Sequence, residues 1–291
     1  DRRMTMKAYG DSLYFNEHTL NAALLAAGAA VDLTDAVCEG KLKNGFALLR
    51  PPGHHAGADY ARGFCFFNNV AIAACRAITK HNLKRVFICD FDVHHGNGTQ
   101  DIFYKRNDVL FFSSHLDSYP GTGPLTEMGA DEGLGYNINV RFPMRYFDKD
   151  ILYCFSKLIM PIVTEYKPEL IIISAGFDAV VGDPLGGNNL SPEVFGHMTK
   201  QLYDAVNGKV IMCLEGGYDE DQTAISACEC IKVLTGKEPS PIPENKFDNL
   251  KYATLIDKLI VQFKPHWKCL QDPIQEELSV QDAQQQEQAK Q

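Results

Sequence analysis

Long hydrophobic runs, excess basic charge and paired cysteines are all missing from this chain of 291 residues. The longest mainly apolar stretch, residues 20–31, is about 12 residues, short of the ~20 that a membrane-spanning helix needs. Lys and Arg number 28 against 37 Asp and Glu, a net charge of −9. That deficit excludes a surface built to hold nucleic acid through its phosphates. It serves solubility or suits a basic partner. None of the nine cysteines forms a Cys-x-x-Cys pair, which removes a tetrahedral zinc knuckle. Cys75, Cys89, Cys154 and Cys213 sit in apolar segments, and the spacing of Cys228 and Cys230 suits a helix. Their odd number and scattered placement read as reduced thiols, not disulfides. No basic-plus-apolar leader is present, and the chain starts at Asp1.

What is present is a globular composition, 45% hydrophobic and 22% charged. Short β-branched runs predict strands over 46–49, 85–90, 109–113, 170–174 and 210–214. Amphipathic stretches between them predict helices over 17–33, 70–80, 151–166, 192–206 and 223–234, with a last one around 255–269. Ser191-Pro192 reads as an N-cap followed by proline at the first helical position. The runs LIIIS and VIMCL are apolar throughout, as strands covered on both faces must be. Strand and helix in alternation predict a single α/β domain, a mainly parallel central sheet flanked by helices. The domain is assigned to residues 1–272, and the polar, Gln-rich segment 273–291 is expected to be disordered.

In parallel α/β sheets, ligands bind beyond the carboxyl ends of the strands. Four of the predicted strands end in chemistry-bearing segments: Arg50-Pro51-Pro52-Gly53-His54-His55, Asp90-Phe91-Asp92-Val93-His94-His95-Gly96, Ala175-Gly176-Phe177-Asp178 and Glu215-Gly216-Gly217-Tyr218. Asp92 and His94, two apart, point to one side of extended backbone. With Asp178 they form two carboxylates and one imidazole, a set that suits Zn²⁺ or Fe²⁺ and leaves a position open. Of His54 and His55, one can act as general base while the other stays protonated or is held by Asp90. Tyr218, on a glycine hinge, supplies a hydrogen-bond donor for an oxyanion. These parts define metal-assisted hydrolysis of an amide. Cys65 has no assigned base and is set aside as a nucleophile. A binuclear site of the arginase kind would need more carboxylates at the strand ends.

The same segments resemble the zinc-dependent histone deacetylases of the arginase–deacetylase superfamily. The likeness is carried by RPPGHHA (50–56), GFCFFN (63–68), DFDVHHGNGTQ (90–100), SAGFDA (174–179), GDPLGG (182–187) and LEGGY (214–218), and it extends over most of 10–270. Several of these segments, and His266-Trp267-Lys268, are similar to the class II enzymes. The resemblance implies one catalytic zinc on Asp92, His94 and Asp178. It implies His55 as general base, His54 with Asp90 as its electrostatic partner, and Tyr218 as oxyanion donor. Phe64 and Tyr119 would wall an acetyl-lysine tunnel, with Gly63 and Gly217 beside it, and Ser12 would contact the substrate backbone. A potassium ion would involve Asp90, Asp92, His94, Ser113 and Ser114.

The implied activity is hydrolysis of Nε-acetyl-lysine in histones or other proteins, with corepressor complexes as partners and no direct contact with nucleic acid or membrane. Residence would be nuclear, cytoplasmic or both, in chromatin regulation and transcriptional repression. The family's opening strand and loop have no counterpart, so a catalytic domain lacking its front end is expected. Residues 195–201 look closest to class IIa, whose vertebrate members carry His where Tyr218 stands; the tyrosine predicts real turnover. Tyr119-Pro120-Gly121-Thr122-Gly123 looks more like bacterial relatives, some of which act on acetylated polyamines. That leaves an acetylpolyamine amidohydrolase, or a weakly active acetyl-lysine-binding corepressor module, as alternatives.

Overall fold

Alternate residues of a strand face opposite sides of a sheet, and here both sides are packed. Leu170 and Ile172 lie in one apolar cluster with Val86, Ile88, Ile211 and Cys213. Ile171 and Ile173 lie in another with Phe87, Cys89, Val210 and Met212. The uninterrupted apolar runs follow from that two-sided burial. The structure, a computed structural model, describes residues 11–244 and 249–271. The proposed tail, 273–291, lies outside the described residues.

Six strands, β1 (Gly45–Ala47), β2 (Val86–Asp90), β3 (Val109–Leu116), β4 (Asn137–Phe142), β5 (Leu170–Ala175) and β6 (Val210–Leu214), form one sheet in the order β1-β6-β5-β2-β3-β4. Every pairing is parallel. Helices α1 (Thr19–Cys38), α2 (Asn69–His81) and α3 (Asn97–Phe103) precede β3. Then come α4 (Asp148–Cys154), α5 (Met160–Tyr166), α6 (Pro192–Ala205), α7 (Glu220–Leu234) and α8 (Ala253–Phe263). From β2 the chain moves outward through β3 and β4, and from β5 it moves the other way to β6. The crevice between β2 and β5 is therefore the topological switch point, where such sheets bind ligands. Register places Asp90 beside Ser113 on one side and Ser174 on the other.

The predicted elements are present, with four corrections. The helix expected over 151–166 is interrupted by a π turn, Phe155–Ile159, in which the Met160 N–H donates to the Phe155 carbonyl five residues back. Pro161 has no N–H to continue an α-helical ladder, and the wider turn absorbs it. Strand β4 was not anticipated, although Asn137, Asn139 and Arg141 alternate with Ile138, Val140 and Phe142 at the period of a strand. Ser191 does precede the first turn of α6, with Pro192 opening it, but its side chain makes no cap.

The fourth correction concerns α1. It continues beyond the apolar stretch to reach 20 residues, long and apolar enough by length and composition to cross a membrane. The length argument against a span therefore fails. The helix instead buries an alanine face (Ala23, Ala26, Ala27, Ala30) against α2 and β1. Asp35, on the same helix, accepts from Arg76 Nε and Nη2 at 2.9 Å, Lys80 Nζ at 2.7 Å and His81 Nε2 at 2.7 Å. The Arg76 hydrogen bonds most of all, and those from Lys80 and His81, hold the Asp35 carboxyl far below the ordinary carboxylate range.

Candidate metal centre and active site

Asp92 and His94 leave the end of β2, and Asp178 leaves the end of β5, so the switch-point crevice brings all three together. His94 Nδ1 lies 3.0 Å from Asp92 Oδ1 and 2.9 Å from Asp178 Oδ2. Asp92 and Asp178 are almost wholly buried. Two carboxylates so placed need positive charge between them. Burial alone would lower the His94 imidazole, but Asp178 and Asp92 outweigh it and push it up to about 11. Backbone secures the carboxylates as well. The Val93 N–H donates to Asp178 Oδ1 at 2.8 Å and the Gly216 N–H to Asp92 Oδ2 at 2.8 Å. A Cβ at Gly216 would fall 2.2 Å from Asp178 Oδ2, and one at Gly176 would fall 2.1 Å from Asp92 Oδ2. Only glycine leaves room there for the carboxylates. The donor set fits one divalent cation such as Zn²⁺, with three protein ligands and an open position.

The RPPGHH loop after β1 is tied across to β6. Glu215 Oε2 accepts the N–H of Gly53 at 2.7 Å and of His54 at 3.1 Å. His54 donates from Nδ1 to Asp90 Oδ2 at 2.9 Å. Burial works against its charge, but Asp90 and Asp92 raise it to about 10. His55 is driven the opposite way, well below the ordinary value, by burial and then by the charge of His54. Its Nδ1 meets Asn97 Oδ1 at 2.8 Å. The two adjacent histidines, both under 5% exposed, are thus separated into a cationic and a neutral imidazole. Titratable groups driven apart in this way are suited to different tasks in proton transfer.

The aromatic residues gather around this pair. Tyr119 sits edge-on to His55 at 5.2 Å and to His94 at 6.1 Å between ring centroids. Phe64 lies 6.3 Å from Tyr218 and 6.1 Å from Tyr14. Phe64 has φ 66°, unusual for a residue with a side chain and a form of strain concentrated at functional sites. It is held there by the Ser12 segment: the Gly63 N–H donates to the Asp11 carbonyl and the Phe64 N–H to the Ser12 carbonyl, both at 3.0 Å. A Cβ at Gly63 would meet His55 Cδ2 at 2.5 Å. Gly217, at φ 127°, accepts from Arg50 Nη2 at 3.3 Å. Burial raises the Tyr218 phenol far above its ordinary value, so it keeps its proton to donate. Ser113 and Ser114 are buried beside the Asp90 strand end, with the Tyr146 hydroxyl against that of Ser114. Cys65 is fully buried, with burial pushing its thiol well up, which agrees with setting it aside.

Three residues escaped the sequence reading. Asn97 touches His55, Glu215 holds the histidine loop, and Asp183 accepts four backbone N–H groups. These are Leu185 and Gly186 on Oδ1 at 2.9 and 2.8 Å, and Tyr218 and Asp219 on Oδ2 at 2.7 and 3.2 Å. All three stand inside quoted motifs, but the partners that link them to other loops, His55 for Asn97, Gly53 and His54 for Glu215, and Tyr218 and Asp219 for Asp183, lie far away in the chain. A second set of possible metal donors, Asp35, Glu39 and His81, is already engaged with Arg76 and Lys80.

The histone deacetylase domain family matches residues 1–234. Histone deacetylase HDA1 of Saccharomyces cerevisiae is 40% identical over 270 residues, 89% of this chain and 38% of its own length. Histone deacetylase 15 of Arabidopsis thaliana is 46% identical over 231 residues, 78% of this chain and 42% of its own. Histone deacetylase 7 of Homo sapiens is 40% identical over 276 residues, 90% of this chain and 29% of its own. The chain therefore spans well under half the length of these relatives. The crystal structure of the HDA15 HD domain superposes with a TM-score of 0.82 at 42% identity, covering 89% of this chain and 72% of that one. With that fold, and with those motifs converging on one crevice, the chain belongs to the histone deacetylase family, as a class II catalytic domain.

Proposed function

We propose that this domain hydrolyses Nε-acetyl-lysine in histones or other proteins, releasing acetate. The observation that carries the proposal is the meeting of Asp92, His94 and Asp178 within 3.0 Å contacts, beside a neutral His55. Asp92, His94 and Asp178 would hold zinc, which when bound supplies a Lewis acid that polarises the acetyl carbonyl and water. His55 takes the water proton as oxygen attacks the acetyl carbon, and Tyr218 donates a hydrogen bond to the developing oxyanion. His54, fixed by Asp90, supplies positive charge next to the base. As the carbon–nitrogen bond breaks, an imidazolium returns a proton to the leaving lysine nitrogen. Phe64 and Tyr119 receive the aliphatic side chain, whose neutral acetylated form enters an apolar passage more cheaply than charged lysine. Ser12, Gly63 and Gly217 shape its rim.

A potassium ion near Asp90, Asp92, His94, Ser113 and Ser114 belongs to the same proposal, supported by the burial of both serines beside the Asp90 strand end. So do acetylated histone tails and corepressor complexes as partners, and residence in nucleus, cytoplasm or both. Acetate release from an acetyl-lysine peptide, measured beside acetylspermidine with the zinc-loaded protein, tests the substrate. Higher kcat/KM on the peptide is expected. Higher kcat/KM on acetylspermidine would replace this reading with the polyamine one.

A further inference from the structure

We propose that Tyr60 and Asp101 form a clamp that orients the Asn97 amide and, through it, keeps a proton on His55 Nδ1. The inference rests on the reading of His55 as the base. Tyr60 and Asp101 act through Asn97, as positioning residues.

The argument is a chain of donors and acceptors that allows only one direction. Tyr60 Oη lies 2.5 Å from Asp101 Oδ2. A carboxylate has no proton to offer, so the phenol donates to it. Burial and the Asp101 carboxylate both push the Tyr60 phenol upward, so it keeps the proton it donates. Having used its one hydrogen, the Tyr60 oxygen can only accept from its other neighbour, Asn97 Nδ2 at 3.1 Å. The second hydrogen of that amide faces the His55 carbonyl at 3.4 Å. With both amide hydrogens placed, Asn97 Oδ1 must be the atom against His55 Nδ1 at 2.8 Å. An amide oxygen only accepts, so His55 Nδ1 carries hydrogen. The neutral ring is then left with its lone pair on Nε2, the tautomer that a base at this site needs.

An amide reversed by 180° would present NH₂ to Nδ1 and put the proton on Nε2, where it blocks the base. Oxygen and nitrogen are nearly the same size, so the amide tells its two ends apart by its partners, and Tyr60 at 3.1 Å is closer than the His55 carbonyl at 3.4 Å. The clamp is also built for its position. A Cβ at Gly57 would lie 2.2 Å from Tyr60 Cε1, and the Gly57 N–H donates to the Tyr60 carbonyl at 3.0 Å. The 57–60 turn therefore folds the ring across the glycine, toward Asn97. Tyr60 is itself 36% exposed, so deleting its hydroxyl leaves the core untouched.

The test is Tyr60→Phe in the zinc-loaded protein, made both alone and together with Asn97→Asp. Alone, kcat is expected to fall about tenfold, less than the ~10²–10⁴ of losing proton transfer outright because the Nδ1-protonated form is still populated, with KM within about twofold. A carboxylate at 97 accepts through either oxygen and has no orientation to lose. In that background Tyr60→Phe is expected to change kcat less than about twofold, whatever its starting rate. The second readout is a ¹⁵N-histidine spectrum at fixed pH. The wild type is expected to show His55 protonated on Nδ1, and Tyr60→Phe to add the Nε2 form. Equal losses in the two backgrounds, or an unchanged tautomer after Tyr60→Phe, would overturn the clamp. If the wild type released no acetate the functional reading would fall, and the tautomer spectrum would still decide the clamp.

Discussion

Asp183 accepts the Tyr218 N–H at 2.7 Å, so the loop that supplies Asp178 from β5 also fixes the loop that supplies Tyr218 from β6. One segment thereby sets the Asp178 carboxylate and the Tyr218 phenol relative to each other. Gly186, in the same loop, passes so near the Asp178 carbonyl that a Cβ would fall 1.8 Å from its oxygen. Asp183→Ala is expected to lower kcat by at least about tenfold with the fold retained, because small misplacements of reacting groups cost up to 10²-fold. Asp183→Asn, which keeps one acceptor, should lose less. Steady-state turnover of the two variants checks this, and equal turnover of Asp183→Ala and wild type would contradict it.

Glu215 performs the matching task for the histidines. Glu215→Ala would strand the buried N–H groups of Gly53 and His54, at about 1–3 kcal/mol for each. Its thermal midpoint should fall, followed through the fluorescence of the single tryptophan, Trp267, which is buried and donates Nε1–H to the Gly135 carbonyl at 3.0 Å. Glu215→Gln retains an oxygen acceptor and should keep most of that stability.

Gly216→Ala places a methyl group against both carboxylates proposed to hold zinc, 2.2 Å from Asp178 Oδ2 and 2.6 Å from Asp92 Oδ2. Zinc content after dialysis, measured by elemental analysis, should fall well below one ion per chain, while the wild type retains one. Retention of a full ion by the variant would show that the carboxylates are placed otherwise.

The Asp35 network carries a pH signature. Its folded carboxyl is held below the unfolded value of about 4, so its contribution to stability is complete above that pH and disappears as pH falls through and below it. Asp35→Asn should therefore lower the melting temperature at pH 7, and the gap from wild type should hold to about pH 4 and narrow as pH falls below it. A gap that widens on acidification would contradict the pairing.

Much of this was legible in the chain because local rules and global fold agree. LIIIS and VIMCL read as doubly covered strands, and Asp92, His94 and Asp178 could be grouped because each directly follows one. What stayed hidden depends on distance in sequence. Asn97 pairs with His55 across 42 residues and Glu215 with His54 across 161, and no spacing rule reaches that far. Tyr60 belongs to no motif at all, and its importance arises only from the turn at Gly57. Strand β4 was missed for a different reason. Asn137 and Asn139 look like loop residues, yet both are buried and donate to Gln100 Oε1 at 2.9 and 2.7 Å.

The central claim is tested most directly by turnover of an acetyl-lysine peptide with the zinc-loaded protein and two single variants. Asp178→Asn should abolish acetate release, and Tyr218→Phe should lower kcat by roughly 10²–10³. Wild-type turnover in either variant would contradict the assignment of metal ligand or oxyanion donor on which the account rests.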